Sequence, residues 1–414
     1  MARLAVFVVF VLNGVVFGTW AARVPALATQ IGANEATLGL ALLGASIGLA
    51  VTAPIAARLC AAYGSRPFML GSSFLSVLVL PLLAVATTPL QLGLALVLLG
   101  STVATVDVSM NVGAVAVIRA LKRPLMPQFH AGWSFGGLLG SLGAAAAAQA
   151  QWNPMRHFVT AGAIGLVMLL AVAKHAPGGV GEKHRDEPVA QKSVLKSPVL
   201  WLLASIALCS AIAEGASADW SALFLVRERG LGEAAAAYAY AGFSIAMAVA
   251  RLFGEPIQRK VGPHRLLAAG GGVAATGLAL AVLVPFPAAG YLGFGLTGLG
   301  LAFSFPVVMD LASDVGRRAD GTGGERELGL VTTIAYTGFL VGPPIVGGLA
   351  HASTLTIALG FVGLVTALII PATLLARQAG RRFNAAEASG VNVAATLSSV
   401  APCNASATSN DRSG

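Results

Sequence analysis

Residues 32–51 read GANEATLGLALLGASIGLAV, and residues 230–249 read GLGEAAAAYAYAGFSIAMAV. At a shift of 198 positions Gly32 falls on Gly230, Glu35 on Glu233, Ala36 on Ala234, Ala41 on Ala239 and Gly44 on Gly242. Ser46-Ile47 then falls on Ser244-Ile245, Ala50-Val51 on Ala248-Val249 and, further along, Gly64 on Gly262. Ala and Gly matches are cheap in a chain this rich in them; the glutamate pair and the Ser-Ile pair are not. A repeat of half the chain, carried by stretches long and apolar enough to cross a bilayer, reads as a membrane protein made of two copies running in the same direction.

The rest of the chain agrees. Of 414 residues 56% are hydrophobic and 10% charged, with a mean hydropathy of +0.80, against about 25% charged in ordinary soluble domains. Such a composition excludes a soluble single-core protein or a large water-facing catalytic domain. Cut at its charged, Pro-rich and Gly-rich punctuation, the chain gives spans near 3–22, 36–57, 67–87, 90–118, 129–150, 157–174, 198–223, 234–254, 265–284, 288–312, 328–350 and 354–376. The run from Arg3 stays apolar through Trp20 without a cleavage site, so it is read as the first span. The predicted architecture is all-α and polytopic, with 12 transmembrane helices in two parallel six-helix halves. Residues 1–174 form the first half, 175–197 a cytoplasmic linker, 198–377 the second half and 378–414 a disordered cytoplasmic tail.

A net charge of +9 raises the question of a nucleic-acid partner, and position answers it. With the N-terminus inside, 21 of the 26 basic residues fall on inner segments. Arg23, Arg156, Arg227 and Arg229 fall on outer loops, and Arg251 within a span. Lys and Arg are retained on the cytoplasmic side of short loops, so the charge reports orientation: an inner-membrane, multi-pass protein with both termini cytoplasmic. The expected partners are the lipid bilayer, a small-molecule substrate and a proton, with no nucleic acid, and a monomer is expected. Cys60, Cys209 and Cys403 lie far apart, without metal-ligand spacing. No zincin or phosphate-loop pattern occurs, no Gly-x-Ser-x-Gly comes with partners, and no His or Cys ligands cluster, so no enzyme, catalytic residue, cofactor or metal is predicted.

An ionisable group inside hydrocarbon is a functional candidate by default. Asp107 and Asn111 stand four apart on one face of the fourth span, a face continued by the small residues Gly100, Ala104 and Ala114. That polar, uncrowded stripe suits the wall of a water-filled cavity. In the seventh span Glu214 shares a face with Ser210, Ser217 and Ser221, and a carboxyl at that depth suits a group that takes up and gives back a proton. Asn13 sits at the centre of the first span, and His130 opens the fifth. Asp219 and Trp220 fall nearer the outer end, the Trp in the position of an interfacial anchor. Arg251 with Glu255, and Asp310 with Asp314, are i, i+4 pairs at inner helix ends and read as a gate or structural charge network. Gly132, Gly136 and Gly140 form a packing stripe, and Gly338-xxx-Gly342-Pro343-Pro344 marks a bend.

Twelve spans in parallel halves, with a Gly and basic residues in the loop after the second span of each, resemble the major facilitator superfamily. Gly64-Ser65-Arg66 fits the end of its loop signature, with Ala61 at the acidic position, and Arg259 to Arg265 supplies a second basic copy. Asp107-Val108-Ser109-Met110-Asn111, followed by Phe129-His130-Ala131-Gly132-Trp133-Ser134-Phe135-Gly136, resembles the fourth and fifth helices of the fucose-permease branch of sugar/proton symporters and related permeases. The resemblance implies alternating access and gives Asp107 a proton or sugar-contact role, with Glu214 as the acid of the seventh helix. Where the sugar symporters carry an Asp near the outer end of helix one, this chain has Ala21. The expected function is a secondary active, proton-coupled transporter of a small solute such as a sugar, its cavity lined by Asn13, Asp107, Asn111 and Glu214. An exporter of amphipathic compounds and a non-transporting receptor or scaffold are the alternatives.

Overall fold

The computed structural model describes residues 1–123, 125–178, 197–316 and 324–381. Most of the expected linker and of the expected C-terminal tail, with Arg317, Arg318, Arg382 and Arg412, lies outside the described residues. Among the described residues the secondary structure is helical throughout. The first half holds α1 (Ala2–Ala21), α2 (Val24–Gln30), α3 (Glu35–Tyr63), α4 (Ser65–Val85), α5 (Pro89–Leu121), α6 (Met126–Gln149) and α7 (Pro154–Ala173). The second holds α8 (Pro198–Arg229), α9 (Glu233–Leu252), α10 (Gly254–Val261), α11 (Pro263–Leu283), α12 (Pro287–Leu301), α13 (Ser304–Gly316), α14 (Glu325–Ala352) and α15 (Leu355–Ala367).

Local chemistry sets these boundaries. Asn34, Thr88, Asn153, Ser197 and Thr354 each accept a backbone N–H from the first turn of α3, α5, α7, α8 and α15, satisfying donors that a helix start leaves orphaned. Pro89, Pro154, Pro198, Pro263 and Pro287 stand in first turns, where a missing N–H costs nothing. The repeat is visible in the backbone itself. Gly64 and Gly262 both take φ +82°, and Gly32 and Gly230 take +61° and +66°. Each pair turns the chain at the same place in its half, in a conformation that a Cβ disfavours.

Among the described residues eleven helical segments are long and apolar enough to cross a membrane. The twelfth expected span, α6, is 24 residues long but is rich in Gly and Ala. It packs on α1 on one side and on α9 of the other half on the other, so it needs few large apolar residues toward lipid. The halves pair their helices alike. In the first, α1 packs on α6, α3 and α4 on α5, and α4 on α7; in the second, α8 packs on α14, α9 and α11 on α12, and α11 on α15. Between halves, α3 packs on α14 and α6 on α9, the same contact seen from either copy.

Close approach depends on small residues. A Cβ on Gly136 would meet the Val11 carbonyl, and one on Gly14 the Trp133 carbonyl, so α1 and α6 touch backbone to backbone. Between halves, Gly39 lies against the Pro343 carbonyl and Gly347. The expected bend at Pro343-Pro344 does not break α14, which stays helical from Glu325 to Ala352; the small residues there serve the approach of α3. Gly136→Val is expected to cost about 1–3 kcal/mol through overpacking, and the midpoint of thermal unfolding in detergent should fall by several degrees.

Contacts at helix ends define two faces. On the N-terminal face Arg3 donates to Gln128 (2.8 Å), and Arg66 reaches the carbonyls of Ala173 and Lys174. On the opposite face Gln30 caps the end of α4 at Ala84 and Ala86. In the second half Arg229 caps the end of α11 at Ala281 and Val282 (2.9 and 3.0 Å).

Candidate functional site

Asp107 and Asn111 lie midway along α5 and are only half-buried. Asn111 Nδ2 donates to the Asp107 backbone carbonyl (2.8 Å) and, at 3.4 Å, to its carboxylate. This is the i, i+4 relation expected from the sequence. Across the halves, Tyr336 of α14 lies within the field of the Asp107 charge. The expected open stripe is interrupted: a Cβ on Gly100 would strike the Ala45 carbonyl of α3, and Ala104 and Ala114 are buried. Accessibility is confined to the Asp107–Asn111 turn. Asn13 is 2% exposed; its Nδ2 reaches Met110 Sδ at 4.0 Å, and its Oδ1 has no hydrogen-bond partner.

A second group surrounds Glu214, midway along α8. Arg251 of α9 acts on Glu214 and on Tyr240, and Tyr240 also senses Asp219. Arg251 donates through Nε to the Ala302 carbonyl (3.2 Å) and through Nη1 to Ser134 Oγ of α6 (3.4 Å), so it bridges the halves. The His130 ring packs edge-on against Phe10, centroids 5.4 Å apart, and feels the Arg251 charge. The sequence reading puts Arg251 in a network with Glu255; among the described residues it meets Ser134 and the fields of Glu214 and Tyr240. Glu255 belongs to α10, and its side chain lies outside the described residues. Asp310 and Asp314 are exposed on α13, four residues apart as expected.

Trp220 departs from expectation. It is 0% exposed, a core residue rather than an interfacial anchor, because at that turn α8 is surrounded by protein. Asp219 beside it is half-buried and belongs with Tyr240. Sequence reasoning missed Tyr240, Tyr336 and Ser134 as site residues. Tyr240 and Ser244, four apart in the repeated stretch, were the available signal.

On the opposite face two ion pairs join the halves. Arg227 at the end of α8 pairs with Glu35 at the start of α3 and also donates to the Ala33 carbonyl. Arg23, just after α1, pairs with Glu233 at the start of α9 at 3.4 Å and donates to the Trp152 carbonyl at 2.7 Å. Glu35 and Glu233 are the matched glutamates of the repeat, and each pairs with an arginine of the other half, although the two arginines are not themselves matched positions. Arg23 is 3% exposed. Burial pulls its guanidinium below the ordinary arginine range, and the Glu233 charge pushes it back up.

The sequence profile of the Major Facilitator Superfamily matches residues 5–324. The chain belongs to the Major Facilitator Superfamily. Among relatives of this superfamily member, an uncharacterized MFS-type transporter of Yersinia pestis is 33% identical over 358 residues, covering 86% of this chain and 91% of that protein. An uncharacterized transporter of Sinorhizobium fredii is 34% identical over 370 residues, covering 87% and 94%. The membrane protein MosC of Rhizobium meliloti is 28% identical over 366 residues, covering 88% of each. Among solved structures, a bacterial homologue of the human lysosomal transporter Spinster, inward-facing and occupied, superposes with a TM-score of 0.73 at 15% identity, covering 91% of this chain and 96% of that one. A variant of the nucleoside transporter NupG superposes with 0.75 at 10% identity, covering 91% and 100%. Both share the fold of this superfamily member, an all-α, multi-pass membrane protein.

Proposed function

We propose that the protein is a secondary active transporter that moves a small solute by alternating access, coupled to protons, with Asp107, Asn111, Glu214 and Asn13 lining the transport cavity. The observation that carries this reading is the placement of Asp107. It is a partly accessible carboxyl midway along a span, with no basic partner acting on it among the described residues. A carboxyl without a cation can be neutralised by a proton alone, which is what coupling to a proton gradient requires. Glu214 has Arg251 to balance it and is assigned the part of a charge pair that holds α8, α9 and α6 in register.

The N-terminal face, rich in Arg and Lys, is the cytoplasmic side, and both termini lie there. The two ion pairs then lie on the periplasmic side and hold the halves together there. Arg251, Glu255, Asp310 and Asp314 are assigned gating or structural roles on the cytoplasmic half of the path, and the protein acts as a monomer.

The test is flux. Full-length protein is reconstituted into vesicles containing a pH-sensitive dye and challenged with solutes that raise its thermal stability. The expected result is a solute-evoked change in lumenal pH that protein-free vesicles do not give. A solute that binds but moves neither itself nor a proton, in either direction, would point to a receptor and overturn the reading.

A further inference from the structure

We propose that the groove between α3 and α4, floored by α5, holds an acyl chain of an anionic phospholipid from the leaflet of the N-terminal face, with Arg58 and Arg66 on its headgroup phosphate. The site lies within the first half and stands apart from the transport reading.

The shape gives the first reason. α3 and α4 both pack on α5, and between them runs a groove of about 290 Å³ whose lining includes Thr52 of α3, Pro67, Phe68, Gly71 and Leu75 of α4, and Thr105 of α5. A Cβ on Gly71 would meet no atom within 4 Å, so no protein atom fills the space over it. Val51, Ile55, Leu75 and Leu78 on the same two helices are about half-exposed, as on a surface that meets lipid. From Pro67, at the N-terminal face, to Leu75 is about 12 Å of helix, close to the ~15 Å of hydrocarbon in one leaflet.

The wall is apolar in effect. Of its hydroxyls, Ser101, Thr102 and Thr105 donate to the carbonyls of Val97, Leu99 and Ser101 at 2.8 Å each, and Ser72 donates to that of Phe68. Thr52 has no partner among the described residues. A wall with one open hydroxyl suits a hydrocarbon chain; a sugar or a peptide would bring several polar groups and leave them unpaired.

Charge names the headgroup. Arg58 is exposed on α3, on the stripe that carries Val51 and Ile55, and has no hydrogen bond or ion pair among the described residues. Arg66 directly precedes Pro67 at the mouth of the groove, and its contacts to the Ala173 and Lys174 carbonyls, at 3.4 and 3.5 Å, are long enough to yield to an anion. Tyr63, exposed at the end of α3, has its ring 6.5 Å from that of Phe68, the place of an interfacial tyrosine. From residue 1 to 178 the only acidic side chains are Glu35, on the opposite face, and Asp107, midway along α5. No carboxylate of that stretch therefore neutralises the two arginines. A guanidinium at the edge of hydrocarbon needs an anion, and arginine binds phosphate through paired N–H donors.

The experiment titrates the full-length protein in detergent with palmitoyl-oleoyl phosphatidylglycerol and with the phosphatidylcholine of the same chains, and reads bound lipid by native mass spectrometry. The first equivalent of phosphatidylglycerol should bind about thirtyfold more tightly than phosphatidylcholine, the factor that two arginines beside an anionic headgroup supply. The double variant Arg58→Gln, Arg66→Gln should lose that preference while still binding both lipids weakly. Gly71→Trp, which fills the groove and leaves the arginines in place, should remove the tight first equivalent. Lys122→Gln, on the same face but about 25 Å along α5 from Thr105, should change nothing. Circular dichroism and thermal unfolding report that the variants are folded. Equal affinity for the two lipids, or an unchanged preference in the folded double variant, would overturn the site. So would tight binding that survives Gly71→Trp, or a loss with Lys122→Gln as large as with the arginines. No readout here depends on flux, so the transport reading stands or falls separately.

Discussion

Asp107→Asn is expected to abolish gradient-driven accumulation in reconstituted vesicles while leaving solute exchange down its own gradient partly intact. One charge moved through a 100 mV gradient is worth about 2.3 kcal/mol, which corresponds to roughly 50-fold accumulation at equilibrium. Asparagine keeps the shape of the side chain and the hydrogen bonds to Asn111, but it cannot take up a proton at physiological pH. Accumulation should therefore fall from about 50-fold to the level set by diffusion, measured with labelled solute under an imposed pH gradient. Counterflow under equal pH should persist, because closing the cavity around a neutral residue needs no proton. Undiminished accumulation in Asp107→Asn would remove this carboxyl from the coupling role.

The second large effect concerns the ion pairs of the opposite face, and the two should differ. Arg227 and Glu35 are both part-exposed, and a pair of that kind is worth about 1 kcal/mol or less. Arg23 is almost wholly buried, and its Nε and Nη1 have no hydrogen-bond partner. Glu233 is 37% exposed, so solvent screens part of the pair, and Glu233→Ala would leave the buried guanidinium without its counter-charge at a cost of about 1.4 kcal/mol. That is a population shift of roughly tenfold away from the state in which this face is closed. Arg227→Ala should shift it only a few-fold. Thiol labelling at Trp152→Cys, beneath Arg23, reads the difference: its rate should rise steeply with Glu233→Ala and little with Arg227→Ala.

The fold was legible in the sequence because its determinants are local or periodic. Apolar length gave the spans, and the repeated glycines at 32/230 and 64/262 gave the turns between them, which the structure forms with matching backbone angles. Only α6 escaped the hydropathy rule, being screened from lipid on two sides. The site was legible where it depends on one helix. Asp107 and Asn111 are four apart on α5, so their hydrogen bond follows from spacing. What depends on two helices was hidden. Arg251 meets Ser134 of the other half and the field of Glu214, 37 positions away, which no local spacing foretells. Trp220 resembled an interfacial anchor because linear position shows depth in the membrane and not which side of a helix meets protein. Glu35 and Glu233 stood out as a repeat match, yet only tertiary structure reveals that each pairs with an arginine of the other half.

The central claim is that the halves open and close the face held by these ion pairs around the carboxyl-lined cavity. Nitroxide labels at Thr29 and Ser353, exposed positions of the two halves on that face, measure it most directly in a cysteine-free, reconstituted protein. Pulsed electron-electron resonance should give a short distance as the main population in the otherwise unaltered protein, and a longer one that becomes dominant with Glu233→Ala. A single distance, the same in both proteins and with or without a transported solute, would contradict the account.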